Sequence, residues 1–339
     1  MKKYSFLYLI LLVCNISFSQ EIRGVVLDGN TNLPLEYVSV YFDQTTIGTT
    51  TNQKGEFTLN NTNIKTPLII SYLGYKTKSI TKYSTDEIQE FYLFESNNSL
   101  DEIIINTNDN WSRDLKLKEF KRHYLGESKR GKSCRILNED DLILKFNKIT
   151  RKLIATSKAP IIIKNNVLNY TINVNLDYFE ANYSFVSKNK KRLNIEKVSY
   201  FGSSLYTSYA TPLLKKILEE RNSAYRGSVL HFMRALSKNK LNDRGYKVYL
   251  ANGMSDPSKI IFLSQLKNGK GVFVKIKGDG DLNIIYKNGN QSRIEVLDNE
   301  FYIDSFGNHL PPLSIQFYGD LGGQRVGDTV PLDFTSIKE

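Results

Sequence analysis

Between Glu21 and Phe94 apolar residues recur at every second position in short runs, and turn residues separate the runs. Tyr37–Phe42 (YVSVYF) sets Val38, Val40 and Phe42 against Tyr37, Ser39 and Tyr41, the period of a strand with one buried face. Glu21–Leu27 predicts an earlier strand, ended by the turn signal Asp28-Gly29-Asn30. Gly48 and Gly55 bracket another turn before Glu56–Leu59; Pro67 opens Leu68–Tyr72, and Phe91–Phe94 closes the set. Short strands at this spacing predict a small antiparallel sandwich.

From residue 111 the pattern mixes periods. Trp111-Ser112 starts a helix with Leu117, Phe120 and Tyr124 on one face and Gly126 as its stop. Thr211-Pro212 is a cap and first-turn pair leading into Leu213, Leu214, Ile217 and Leu218. Val229, Phe232, Met233 and Leu236 follow the helical spacing i, i+3, i+4, i+7 after Gly227-Ser228. Strands are predicted at Leu142–Phe146, Ile161–Ile163, Leu168–Leu176, Lys247–Leu250, Gly271–Ile276 and Leu282–Tyr286, with Lys287-Asn288-Gly289-Asn290 as a hairpin turn. The fold class expected is mainly β: an N-terminal sandwich, then a β-rich α+β domain with two or three helices.

The first nineteen residues break this pattern. Lys2 and Lys3 precede an uncharged apolar run, Phe6–Val13, and Ser17-Phe18-Ser19 supplies the small-x-small signature of signal-peptidase cleavage. The run is too short for a lasting anchor across about 30 Å of hydrocarbon. Cleavage after Ser19 leaves Gln20 first. Cys14 follows Leu12-Val13 rather than a small residue, so an ordinary discarded cysteine is expected rather than a lipidated one. The expected organisation is a signal peptide over 1–19, the sandwich over 20–95, a polar linker over 96–110 and a β-rich domain over 111–339.

Several residues of the first unit carry a resemblance: Gly24-x-Val26-x-Asp28, Pro34-Leu35, Val38-x-Val40, Gly48-Thr49-x-Thr51, Gly55-x-Phe57-x-Leu59 and Ser71-Tyr72-x-Gly74-Tyr75. Over about 75 residues in order the chain resembles the carboxypeptidase regulatory-like domain. Asn52 departs from that pattern, where Asp usually follows Thr; a turn accepts either. The resemblance implies a transthyretin-like Greek-key sandwich of the Gram-negative envelope, an accessory module rather than a peptidase. Leu100–Ile105 resembles the segment that follows this domain in TonB-dependent transporters, although no plug and large barrel follow it. Phe120, Leu125-Gly126, Cys134-x-Ile136-Leu137-Asn138 and Tyr225-x-Gly227-Ser228-x-x-His231-Phe232-x-Arg234-x-Leu236 resemble an uncharacterised region found behind such sandwiches. That second resemblance implies no activity.

Composition narrows the chemistry. Among 339 residues the two Cys exclude a disulfide scaffold, and the three His make a His-rich metal site unexpected. With the signal removed, Cys134 is the only thiol. Residues 20–102 carry 6 Lys/Arg against 11 Asp/Glu, whereas residues 103–339 carry 38 against 24. The basicity belongs to the second part, and a charged partner is expected there.

The sharpest motif is Gly126-Glu-Ser-Lys-Arg-Gly131-Lys132-Ser133, a literal G-x-x-x-x-G-K-S. A phosphate loop needs a strand before it and a helix after it. Here a helix is predicted before and a strand after, so a basic turn is expected. Asp279, Asp281 and Asn283 imitate a calcium loop, but Ile284 stands where its glycine belongs. His123, His231 and His309 form no H-E-x-x-H. His231 beside Arg234 is expected to be structural, and Lys188–Arg192 a solvated loop. Glu139-Asp140-Asp141 and Glu219-Glu220 do not converge by spacing. No catalytic residue, cofactor or metal ligand is assigned.

The function expected is that of a non-enzymatic exported protein of the periplasm or outer-membrane periphery, with an envelope protein or glycan as partner. No nucleic-acid partner is expected. Two alternatives remain: a hydrolase of envelope glycan or peptide with its site in residues 111–339, and a TonB-linked accessory factor using Leu100–Ile105.

Overall fold

The computed structural model describes residues 21–60, 66–96, 109, 111–186, 189–209, 214–250, 253–254, 257–266, 271–277, 281–287, 289–298, 300–311 and 314–336. It is mainly β, with three hydrophobic cores. The expected signal peptide, Leu100–Ile105, Thr211-Pro212 and Asp279 lie outside the described residues. No helix among the described residues is long and apolar enough to cross a membrane.

The first core is the sandwich. One sheet orders β4 (Glu56–Asn60), β1 (Glu21–Asp28) and β7 (Ile88–Leu93); the other orders β3 (Gly48–Thr50), β2 (Ser39–Phe42), β5 (Leu68–Ser71) and β6 (Lys78–Ile80). Ile22, Val26, Val38, Val40, Phe42, Phe57 and Leu59 fill the space between, as period-two spacing demands. One pairing departs from the antiparallel expectation: β7 runs parallel to β1, because the chain crosses back from the second sheet before joining the first. Gly55, at φ +73°, makes the turn before β4; a Cβ there would meet the Val26 carbonyl oxygen at 2.5 Å.

The second core is built on helix α1 (Arg113–Leu125), the five-residue helix α2 (Lys129–Ser133) and six strands. Ser112 caps α1 by accepting the Leu115 N–H, and Gly126 ends it at φ +100°. The sheet orders β8 (Cys134–Ile136), β11 (Ile161–Asn165), β12 (Tyr170–Val186), β10 (Lys152–Ser157) and β9 (Leu142–Asn147), and β13 (Asn189–Ser208) pairs along β12. β12 and β13 form a hairpin far longer than the predicted Leu168–Leu176. Helix α3 (Lys215–Tyr225) closes one side, and the chain returns at Val326–Phe334 to pack on the same core.

The third core lies inside residues 229–321. Helix α4 (Val229–Ser237), capped by Ser228, presents Phe232, Met233 and Leu236. Phe232 meets the ring of Tyr246 on a sheet ordered β15 (Gly253–Met254), β14 (Tyr246–Leu250), β18 (Asp281–Tyr286), β19 (Asn290–Val296) and β22 (Ile315–Tyr318). The other sheet orders β16 (Ile261–Gln265), β17 (Gly271–Ile276), β20 (Glu300–Asp304) and β21 (His309–Leu310). The predicted hairpin at 287–290 joins β18 to β19, with Lys287 at φ +52°.

The sandwich rests on the second unit. Tyr41, on the β2 face opposite Val40 and Phe42, is 3% exposed because the β12–β13 hairpin covers it. The Thr45–Leu205 bridge and the Gln44 N–H to Ser204 carbonyl bond (2.7 Å) extend the contact through backbone. Leu332 N–H then donates to the Gln44 carbonyl at 2.7 Å, drawing in the C-terminal segment.

Candidate functional site

Helix α1 places Glu119 and His123 one turn apart on the face toward β12. His123 Nε2 lies 3.2 Å from Glu119 Oε2, and the Tyr183 hydroxyl, from β12, donates to the same oxygen at 3.3 Å. Arg122 Nη1 stands 3.9 Å from it. The His123 contact, reinforced by Arg122 and Tyr183 against the cost of burial, holds the Glu119 carboxyl below the usual range. Burial beside that carboxylate pushes the Tyr183 phenol up.

These groups line a half-open cavity of about 370 Å³ with Trp111, Leu193, Asn194 and Ile195. Trp111 is fixed by a parallel stack on Phe146, with ring centres 3.9 Å apart, and by the Tyr183 ring edge at 5.4 Å. The wall is therefore rigid and mixed: an indole, a half-exposed guanidinium and an amide beside apolar side chains. A Glu–His pair at this spacing is the arrangement by which a carboxylate orients an imidazole. Here, however, Nε2 has no exposed surface and faces Glu119 off the line of a hydrogen bond. That nitrogen does not reach the cavity.

The sequence motifs fall elsewhere. In the G-x-x-x-x-G-K-S stretch the chain runs helix, short helix, strand, the reverse of a phosphate loop. The Gly131 N–H that such a loop would aim at phosphate is taken by Ser128 Oγ at 3.0 Å, and Lys132 is exposed. Asp281 lies on β18, paired with Arg293 at 3.2 Å, and Asn283 is on the same strand. His231 Nδ1 lies 2.8 Å from the Tyr246 hydroxyl and accepts the Gly227 N–H at 3.1 Å. Arg234 donates to the carbonyls of Phe306, Leu332 and Phe334, each within 2.8 Å, and so ties α4 to the C-terminal segment. Lys188 lies outside the described residues, and Asn189–Arg192 form the start of β13. Among the described residues no group of three or more His, Cys, Asp or Glu side chains is arranged for a metal.

Glu119–His123 carries a signal in the sequence: the i, i+4 spacing on a helix whose apolar face Leu117, Phe120 and Tyr124 mark. Tyr183 carried none, since only the hairpin register brings it back over α1.

Residues 22–105 match the family model of the CarboxypepD_reg-like domain. The matched residues span the sandwich. No curated protein sequence matches the chain.

Proposed function

We propose that this chain is an exported cell-envelope protein that works by binding, its sandwich serving as an interaction or spacer module and its basic remainder contacting an envelope partner. The observation that carries the reading is the seating of the sandwich. Its β3-β2-β5-β6 sheet is committed to the rest of the chain through Tyr41 and Ser71, while the β4-β1-β7 sheet turns Arg23, Glu56, Thr58, Ile88 and Glu90 outward. A regulatory-like domain held by one face keeps the other for a partner. The apolar Phe6–Val13 segment with Ser17-Phe18-Ser19, and the basic excess of residues 103–339, support the same reading.

Expressing the full chain in a Gram-negative host, fractionating the cells and weighing the protein tests it. The expected result is a protein beginning at Gln20 in the envelope fraction. A cytosolic protein retaining residues 1–19 overturns it.

A second reading, a hydrolase of envelope glycan or peptide, is favoured by one observation: an ionised Glu119 beside a buried His123 on a cavity wall. Glycoside hydrolysis ordinarily needs a second carboxylate across the bond, and among the described residues Glu119 is the only carboxylate on that wall. Hydrolysis of peptidoglycan fragments that is lost in Glu119→Gln would promote this reading over binding. A TonB-linked role through Leu100–Ile105 predicts that deleting that string abolishes TonB binding.

A further inference from the structure

Among the described residues Arg221 is a charge buried without a counter-ion. It is 4% exposed, yet among the described residues no carboxylate lies within ion-pair distance. A desolvated guanidinium without a counter-ion is costly unless its donors are met. Nε donates to the Leu168 carbonyl at 2.7 Å, and Nη2 donates to the Asn169 carbonyl at 3.0 Å and to Ser208 Oγ at 3.1 Å. The plane is held 3.7 Å over the Tyr170 ring. Of the five N–H groups of an arginine, three are thereby used. Among the described residues Nη1 makes no hydrogen bond to a carbonyl or carboxylate, the Tyr170 side chain being the one further group in reach of the guanidinium, and Nη1 is not sealed from the cavity.

The space beside Arg221 is a cavity of about 530 Å³ where the sandwich, the β12–β13 hairpin, α3 and the C-terminal segment meet. Its lining combines apolar side chains (Tyr170, Leu205, Leu218, Phe334) with hydroxyls (Thr207, Ser208). Asp333, also on the wall, is engaged: its carboxylate accepts both the N–H and the hydroxyl of Thr46. The volume suits a small molecule, about 300–1,000 Å³ being usual, and a junction between domains is a usual place for one.

We propose that this junction is a binding site for a small organic anion carrying an aromatic or branched apolar group, its carboxylate or phosphate received by Arg221 Nη1. A guanidinium matches either head group in shape and charge, and the rings and Leu218 accept the apolar end. The site goes beyond the envelope-partner reading and does not depend on it.

Titration calorimetry on the mature full-length chain tests the proposal with three probes: N-acetylphenylalanine, phenyl phosphate, and the neutral N-acetylphenylalaninamide. Saturable binding of at least one anion is expected, at least about tenfold tighter than the amide. The stronger anion tells carboxylate from phosphate. Leu218→Trp fills the cavity and is expected to weaken binding at least tenfold. Thr335→Trp narrows the exposed rim and serves if Leu218→Trp does not fold. Asp333→Asn removes a like charge and is expected to tighten anion binding severalfold. The proposal is overturned if neither anion binds at millimolar concentration, if the amide binds equally well, or if a folded cavity-filling variant binds unchanged.

Discussion

The Tyr41 hydroxyl on β2 of the sandwich lies 3.0 Å from Ser203 Oγ on β13, two residues separated by 162 positions in the chain. Asn175 Nδ2 donates to the same phenol at 2.8 Å, and Ser71 Oγ donates to Asn175 Oδ1 at 3.2 Å. Two residues of the sandwich and two of the hairpin thus share one hydrogen-bonded chain. Burial pushes the Tyr41 phenol up to about 12, so it stays a neutral donor across the working range of the protein.

Removing that hydroxyl tests how firmly the two units are coupled. Tyr41→Phe keeps the ring but leaves Asn175 and Ser203 without their shared partner, at a cost of about 1–3 kcal/mol. Urea unfolding of the variant is expected to show a lower midpoint. The sandwich, losing docking rather than core, is expected to separate as an earlier transition. A single transition at the parent midpoint refutes the coupling.

Asp43 sits at the same junction, its Oδ1 accepting the Ser204 N–H at 2.8 Å. Burial, the largest influence, raises its carboxyl from 3.8 to about 6 against the pull of that bond. A raised acid favours the folded state while protonated, so its contribution is full below about 3.8 and is lost as pH rises through about 6. Two pH units correspond to at most about 3 kcal/mol. Asp43→Asn is therefore expected to raise the melting temperature at pH 7.5 and to change it little at pH 4. An equal effect at both values removes the assignment.

Arg234 ties α4 to the returning C-terminal segment with charge-assisted bonds to the carbonyls of Leu332 and Phe334, and to the β20–β21 turn with a third to Phe306. Lysine keeps the charge but not the planar fork. Arg234→Lys is expected to cost about 2–4 kcal/mol, read by chemical denaturation. Amide exchange at 332–336 is expected to quicken before the rest of the second core does. Uniform exchange across that core would show that the segment is not held from α4.

The parts legible in the sequence are those where one physical signal decides. Ser112, Leu117, Phe120, Tyr124 and Gly126 mark α1 because cap, face and stop agree; Val38, Val40 and Phe42 mark β2 because one face is apolar. The burial of Tyr41 has no local signal, since its cover comes from Ser203, 162 positions away. The length of β13 was hidden because Lys-, Asn- and Ser-rich positions along an edge strand read as loop. Arg221 gave no local signal either: its neighbours on α3 are charged, and only the fold brings Tyr170 beneath it. Local periodicity reports faces and ends of elements; it does not report which face a distant element will cover.

The glycine at the centre of the phosphate-loop look-alike has a different employment. A Cβ on Gly131 would stand 2.5 Å from the backbone oxygens of both Leu125 and Gly126, atoms at the end of α1 that cannot swing away. Gly327 approaches from the other side: a Cβ there would meet the Gly131 Cα at 2.5 Å. The two glycines let α2 and the returning segment touch backbone to backbone. Gly131→Ala is thus expected to destabilise by more than about 2 kcal/mol, in the range seen for overpacking. Lys132→Ala, on an exposed side chain, is expected to stay within about 0.5 kcal/mol. A phosphate loop predicts the opposite emphasis, with the lysine governing nucleotide affinity. Thermal melts of both variants with and without ATP and Mg²⁺ separate the two. A melting-temperature rise on adding nucleotide that Lys132→Ala abolishes would restore the phosphate-binding role.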